Sequence, residues 1–153
     1  MVVRYPDYMQ EPVINFGVLL FIPYRHMENR ILQAMKDAGF EDVTLAQARV
    51  FQRIAPDGSR LTDLAEQAQM TKQSAAGLVD ELERMRYVRR VPDPNDRRAR
   101  LIQIDKRGRQ AADAAQTAHD SVAAQWRSHL GARRFGQLRE ALENLREITD
   151  PFA

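Results

Sequence analysis

A chain of 153 residues with 44% hydrophobic and 29% charged side chains fits a single globular unit on one core, which excludes collagen-like repeats, low complexity and wholesale disorder. It has no cysteine, which excludes disulfides, thiol nucleophiles and thiolate metal sites, and its longest apolar run, Val18-Leu19-Leu20-Phe21-Ile22, is far short of the roughly 20 residues a bilayer span needs. Net charge is only +2, yet residues 86–109 carry nine basic against three acidic side chains, a local net of +6 that marks this stretch for an anionic partner.

Residues 1–13, broken by Pro6 and Pro12, read as an irregular arm, and the absence there of a secretory signal points to the cytoplasm. Asn15 then caps a long helix whose apolar positions Phe16, Leu19, Leu20, Tyr24, Met27, Ile31 and Met35 recur at three- and four-residue steps, with Gly39 as its stop. Pro23 inside it predicts either a kink near residues 19–23 or a helix that begins there. Thr44 and Gln47 form a capping-box pattern for a short helix over about 45–54, ended by the turn Pro56-Asp57-Gly58-Ser59.

Thr62 is placed to cap a short helix through about Gln67, and Thr71 a second one to about Met85 with Ala75, Leu78, Val79, Leu82 and Met85 as its apolar stripe. Two short capped helices joined by Ala68-Gln69-Met70 outline a helix-turn-helix. Val88–Val91 and Leu101–Ile104 are β-prone segments around the polar stretch 92–100, which predicts a two-stranded hairpin, or wing. Asp105 caps an Ala-rich helix to about Leu130, and Gly131 separates it from a last helix carrying Phe135, Leu138, Leu142, Leu145 and Ile148 on one face. The fold class expected is mainly α with a small β-hairpin wing. The chain divides into an N-terminal arm and helix (1–40), a winged helix-turn-helix (44–104) and C-terminal helices (105–153). Three long apolar-faced helices around so small a head leave surface for a second copy to cover, which favours a two-fold homodimer through them.

A helix that reads DNA needs exposed N-terminal residues at base edges, here Thr71, Lys72, Gln73, Ser74, Ala76 and Gly77. Gln73 is suited to adenine, Lys72 to guanine or phosphate, and Ser74 to either base, while Arg49, Arg53 and Arg84 are suited to phosphates. An arginine on a hairpin tip can enter a narrow minor groove, where negative potential concentrates. The stretch from Leu82 to Arg100, above all Asp93-Pro94-Asn95-Asp96-Arg97-Arg98-Ala99-Arg100, followed by a strand and by Asp105, Lys106 and Gly108, resembles the recognition-helix end and wing of the MarR (multiple antibiotic resistance regulator) family. The order of helices resembles that family across the whole chain.

The resemblance implies a winged helix-turn-helix transcriptional regulator that acts as a homodimer on a pseudo-palindromic site in double-stranded DNA, commonly as a repressor. It implies Arg98 as the minor-groove arginine, flanked by Arg97 and Arg100, with Asp96 as the carboxylate that orients it. It further implies release from DNA by a small, often phenolic or anionic, effector held between the long helices and the head; Leu20, Tyr24 and Met27, with Arg49 nearby, are the residues for that pocket, and they read equally well as ordinary core. Relatives often carry glycine at the positions of Gln69 and Arg86, and a longer polar side chain at that of Gly77. No enzyme is expected: the chain has no phosphate-cradling glycine loop and no nucleophile elbow, and His26, His119 and His129 lack metal-ligand spacing, so neither a cofactor nor a metal is anticipated. The alternative is a winged-helix module that binds protein, with the basic hairpin merely solvated.

Overall fold

The computed structural model describes residues 14–150 and Phe152, so the arm expected over 1–13 lies outside the described residues. Helix α1 (Phe16–Asp37) starts where Asn15 Oδ1 accepts the Gly17 N–H at 2.8 Å, and it runs through Pro23 without a break. Of the two readings of Pro23, a later start is therefore incorrect: the Asn15 cap starts the helix seven residues before the proline. Helix α2 (Leu45–Phe51) opens on the Thr44–Gln47 capping box, with Thr44 Oγ1 accepting the Gln47 N–H at 3.2 Å and Gln47 Oε1 accepting the Thr44 N–H at 2.9 Å. It ends earlier than the expected 54. Tight bonds from Arg53 N–H to the Val50 carbonyl and from Ile54 N–H to the Phe51 carbonyl close the chain there and turn Ile54 into the core.

Helix α3 (Leu61–Gln67) corrects the expected cap at Thr62: the cap residue is Arg60, whose side chain makes no capping bond, and Thr62 lies inside the first turn. Ser59, the residue before, is tied to the hairpin by two backbone bonds with Ile102, of 3.0 and 2.8 Å, and this fixes where α3 can begin. Helix α4 (Lys72–Arg84) starts where expected, with Thr71 Oγ1 accepting the Ser74 N–H at 3.1 Å. Both links flanking α4 are left-handed, with φ of 54° at Gln69 and 64° at Arg86.

Strands β1 (Val88–Asp93) and β2 (Asp96–Ile104) form an antiparallel hairpin in the register Val88 to Ile104, Arg90 to Ile102 and Asp93 to Asp96. The polar stretch expected as a loop is largely strand, and the turn is only Pro94-Asn95. A ladder is held by backbone groups, so charged side chains that alternate to solvent do not interrupt it. Helix α5 (Lys106–Leu130) follows Asp105 directly, Gly131 turns the chain at φ 81°, and α6 (Ala132–Thr149) closes the fold. The core joins Val50, Leu64, Val79, Leu82, Tyr87, Val88 and Ile102 of the head with Met35 of α1 and Ala111 of α5. Among the described residues no helix is long and apolar enough to cross a membrane.

Candidate nucleic-acid interface and adjoining cavity

The first turn of α4 presents Lys72, Gln73 and Ser74 to solvent, with Ala75 and Val79 turned inward by the helical repeat. Ala76 is half-buried, and Gly77 is exposed in open space, so that α4 carries no side chain at the centre of its outer face. Thr71 is used as the cap and also donates to Ser74 Oγ at 2.9 Å. Arg84, in the last turn, is exposed.

On the hairpin, Arg97, Arg98 and Arg100 are exposed, and none is ion-paired among the described residues. Asp96 acts on Arg98 differently from the expected side-chain contact. Its Oδ1 accepts the Arg98 backbone N–H at 3.0 Å, so it fixes the chain from which the guanidinium projects and leaves the guanidinium itself free. Two other cations of the basic block are neutralised. Arg90 pairs with Asp80 at 2.6 Å and with Glu83, strapping β1 to α4, and Arg107 pairs with Asp42 at 2.9 Å while its guanidinium lies 4.4 Å from the centre of the Tyr87 ring. Arg86, Arg89, Lys106 and Arg109 are exposed like the tip arginines and, among the described residues, are not ion-paired either.

Two residues outside the expected site organise that tip. Arg60 donates twice to Asp93 Oδ2, at 3.0 and 2.7 Å, and reaches Asp96 Oδ2 at 3.7 Å. Asp93 is almost fully buried, its Oδ1 accepts the Asn95 N–H at 2.8 Å, and that bond, then Arg60, holds its carboxyl below the usual range. Nothing in the sequence signalled this pairing, because Asp93 reads there as part of a polar stretch and its partner lies 33 residues away.

Of the residues expected at phosphates, Arg49 and Arg53 are engaged within the chain. Arg49 grips Glu28 of α1 with two bonds of 2.7 and 3.0 Å, and Arg53 bonds Gln67 at 3.0 Å and Asp150 at 3.3 Å. The Arg49 hydrogen bond, foremost, lowers the Glu28 carboxyl, with a further bond of 3.1 Å from the Tyr24 hydroxyl.

Behind this lies a cavity of about 390 Å³ between α1, α2, α4 and α5, floored by Met35, Phe51, Leu82 and Ala111 and rimmed by Tyr24, Glu28, Arg49 and His119. Of the residues named for an effector pocket, Tyr24, Met27 and Arg49 line it. Leu20 does not: it stands one turn further out on the half of α1 that nothing among the described residues covers, where Phe16, Leu19, Phe21 and Ile22 are also exposed. Among the described residues no cluster of His, Asp or Glu could hold a metal ion.

A three-helix head with a hairpin strapped to its last helix is a winged helix-turn-helix. Residues 41–99, which hold that head, match the model of the MarR family. The transcriptional activatory protein BadR of Rhodopseudomonas palustris is 31% identical over 94 residues, 61% of this chain and 53% of that protein, so the chain spans about half the length of the curated relative it matches. CouR from Rhodococcus jostii, solved bound to p-coumaroyl-CoA, superposes with a TM-score of 0.71 at 24% identity, over 95% of this chain and 99% of CouR. A single-site mutant of MepR from S. aureus, solved bound to an oligodeoxyribonucleotide, gives 0.57 at 20%, over 88% of this chain and 98% of that one. Such structural likenesses establish the fold.

Proposed function

We propose that the protein is a sequence-specific regulator of transcription that binds double-stranded DNA as a homodimer. The observation that carries this reading is the exposed first turn of α4, with Lys72, Gln73 and Ser74, beside a braced hairpin on which Arg97, Arg98 and Arg100 are exposed and, among the described residues, not ion-paired. In a duplex, the α4 N-terminus enters the major groove with Lys72, Gln73 and Ser74 at base edges, and Arg98 enters the adjoining minor groove. Arg84 meets a phosphate. Arg49 and Arg53 would have to leave Glu28 and Asp150 to do so, and this argues for structural roles. The MepR complex with an oligodeoxyribonucleotide supports the same use of the fold.

The exposed apolar halves of α1 and α6, from Phe16 to Ile22 and from Leu138 to Ile148, supply the surface a second copy covers. The cavity suits a small aromatic or anionic effector, in keeping with CouR and its p-coumaroyl-CoA: its volume lies within the usual range for ligand sites, its floor is apolar, and Arg49 and His119 stand at its rim. Such a ligand releases DNA if it prefers the unbound arrangement of the heads. Repression by occupying an operator is the simplest outcome, and a promoter fusion reads its sign. Selection of bound duplexes from a random pool is the test. An inverted repeat with half-sites about one helical turn apart, roughly 10 base pairs, is expected. Retention of no duplex at low salt, or a selected site without two-fold symmetry, overturns the reading.

A further inference from the structure

We infer that Arg60 is the positioning residue of the wing: from the cap of α3 it clamps both sides of the Pro94-Asn95 turn and so sets the backbone that carries Arg98. The inference rests on the DNA-binding reading for its consequence, though its geometry stands without it. Two hydrogen bonds and one longer ion contact converge. The Arg60 guanidinium takes Asp93 Oδ2 at 3.0 and 2.7 Å and lies 3.7 Å from Asp96 Oδ2. The other oxygens of the same two carboxylates accept the backbone N–H of Asn95, at 2.8 Å, and of Arg98, at 3.0 Å. One guanidinium therefore orders two carboxylates, and each carboxylate orders one amide of the tip.

A hairpin two strands wide is marginal alone and free to twist about its long axis. Besides the Arg90 strap to α4, it is pinned at two heights from the start of α3. At its base Ser59 pairs with Ile102, and near its tip the next residue, Arg60, holds Asp93 and Asp96. Two attachments on consecutive residues of one rigid element resist rotation, which one attachment cannot do. The planar fork matters, because a point charge on a flexible stem cannot hold two carboxylates in a fixed relation. With its charge matched by Asp93 and Asp96, Arg60 is a brace and not a phosphate contact.

Two measurements on the full chain test this. In the absence of DNA, hydrogen exchange at the Asn95 and Arg98 amides should quicken at least about tenfold in Arg60→Ala and less in Arg60→Lys, while amides of α4 keep their protection. Unchanged exchange at both tip amides overturns the clamp. On the selected duplex, Arg60→Ala should weaken binding about tenfold, the cost of leaving the tip arginine unordered, with the salt dependence unaltered. In an Arg98→Ala background the same change should cost less than about twofold, because the two residues act in one chain. A full loss on top of Arg98→Ala, or a salt slope reduced by about one, overturns the positioning role in favour of a general structural or phosphate role. If Arg60→Ala does not fold, Arg60→Lys carries the same cycle. Failure of the wild-type chain to bind any duplex counts against the DNA reading alone, since the amide measurement still decides the clamp.

Discussion

Arg98 and Arg109 carry equal charge in one basic stretch but stand in different surroundings. Arg98 is exposed beyond the hairpin turn, whereas Arg109 donates to the Ile104 carbonyl at 2.9 Å at the start of α5. Arg98→Ala is expected to weaken operator binding about tenfold more than Arg109→Ala, most on sites with A·T-rich flanks, where a narrow groove strengthens the attraction. Asp96→Ala should reproduce part of that loss by releasing the Arg98 amide. Titrations of the three variants on one duplex check this, and equal losses for the two arginines would return the wing to a generic basic surface. Gly108 poses a steric question: a Cβ there would lie 2.1 Å from the Tyr87 carbonyl oxygen and 2.9 Å from Ile104 Cγ2. Gly108→Ala should cost at least about 3 kcal/mol in denaturant unfolding, since a backbone carbonyl cannot step aside as a side chain can. Asp93 sets a pH dependence. Its carboxyl is held below the ordinary value, so its contribution is complete at neutral pH, present above the unfolded pKa, and lost only as pH falls through the lower folded value. Protection of the wing-tip amides should accordingly be flat around neutrality and fail only at a pH below the ordinary carboxylate range.

The helices carry their start signals to different degrees, and the reason is range. The Thr44–Gln47 box, the Thr71 cap and the Asn15 cap act within three residues and were legible for that reason. The start of α3 was not, because the Ser59 bridge to Ile102 and the Arg60 bond to Asp93 come from segments 43 and 33 residues away and override Thr62. The hairpin was legible as a pair with its base ends at Val88 and Ile104, but each strand was read short at the turn, since ladder bonds ignore side-chain polarity. Within the site, the exposed turn of α4 and the wing arginines could be read from pattern, whereas the neutralisation of Arg49, Arg53 and Arg90 could not, as their carboxylates lie on other elements. Arg86 shows a local conflict between residue and backbone. At φ 64° a side chain with a Cβ costs about 1 kcal/mol, so Arg86→Gly should raise the thermal midpoint by a few tenths to about 1 kcal/mol equivalent, the smaller figure reflecting the extra freedom of unfolded glycine. Gln69→Gly should gain less, because Gln69 Nε2 also bonds the Glu66 carbonyl at 3.0 Å.

For the whole molecule the expected particle in light scattering at micromolar concentration is a dimer, and Leu142→Glu, which puts a charge on the exposed face of α6, should shift it to monomer with helical content unchanged. Met35 of α1 and Ala111 of α5 belong to the same buried cluster as Val50, Leu82 and Tyr87, with Ile31 and Ala115 packed against it. The head therefore has no interior of its own. Close-packed interiors do not slide continuously; they move between seated positions. In mechanical terms the junction between the long helices and the head is a detent and not a bearing, so in the proposed dimer the distance between the two reading helices is expected to take discrete values. Distance measurements between labels on the two α4 helices, with the proposed effector site partly filled, should then show mixtures of two spacings in place of one average spacing.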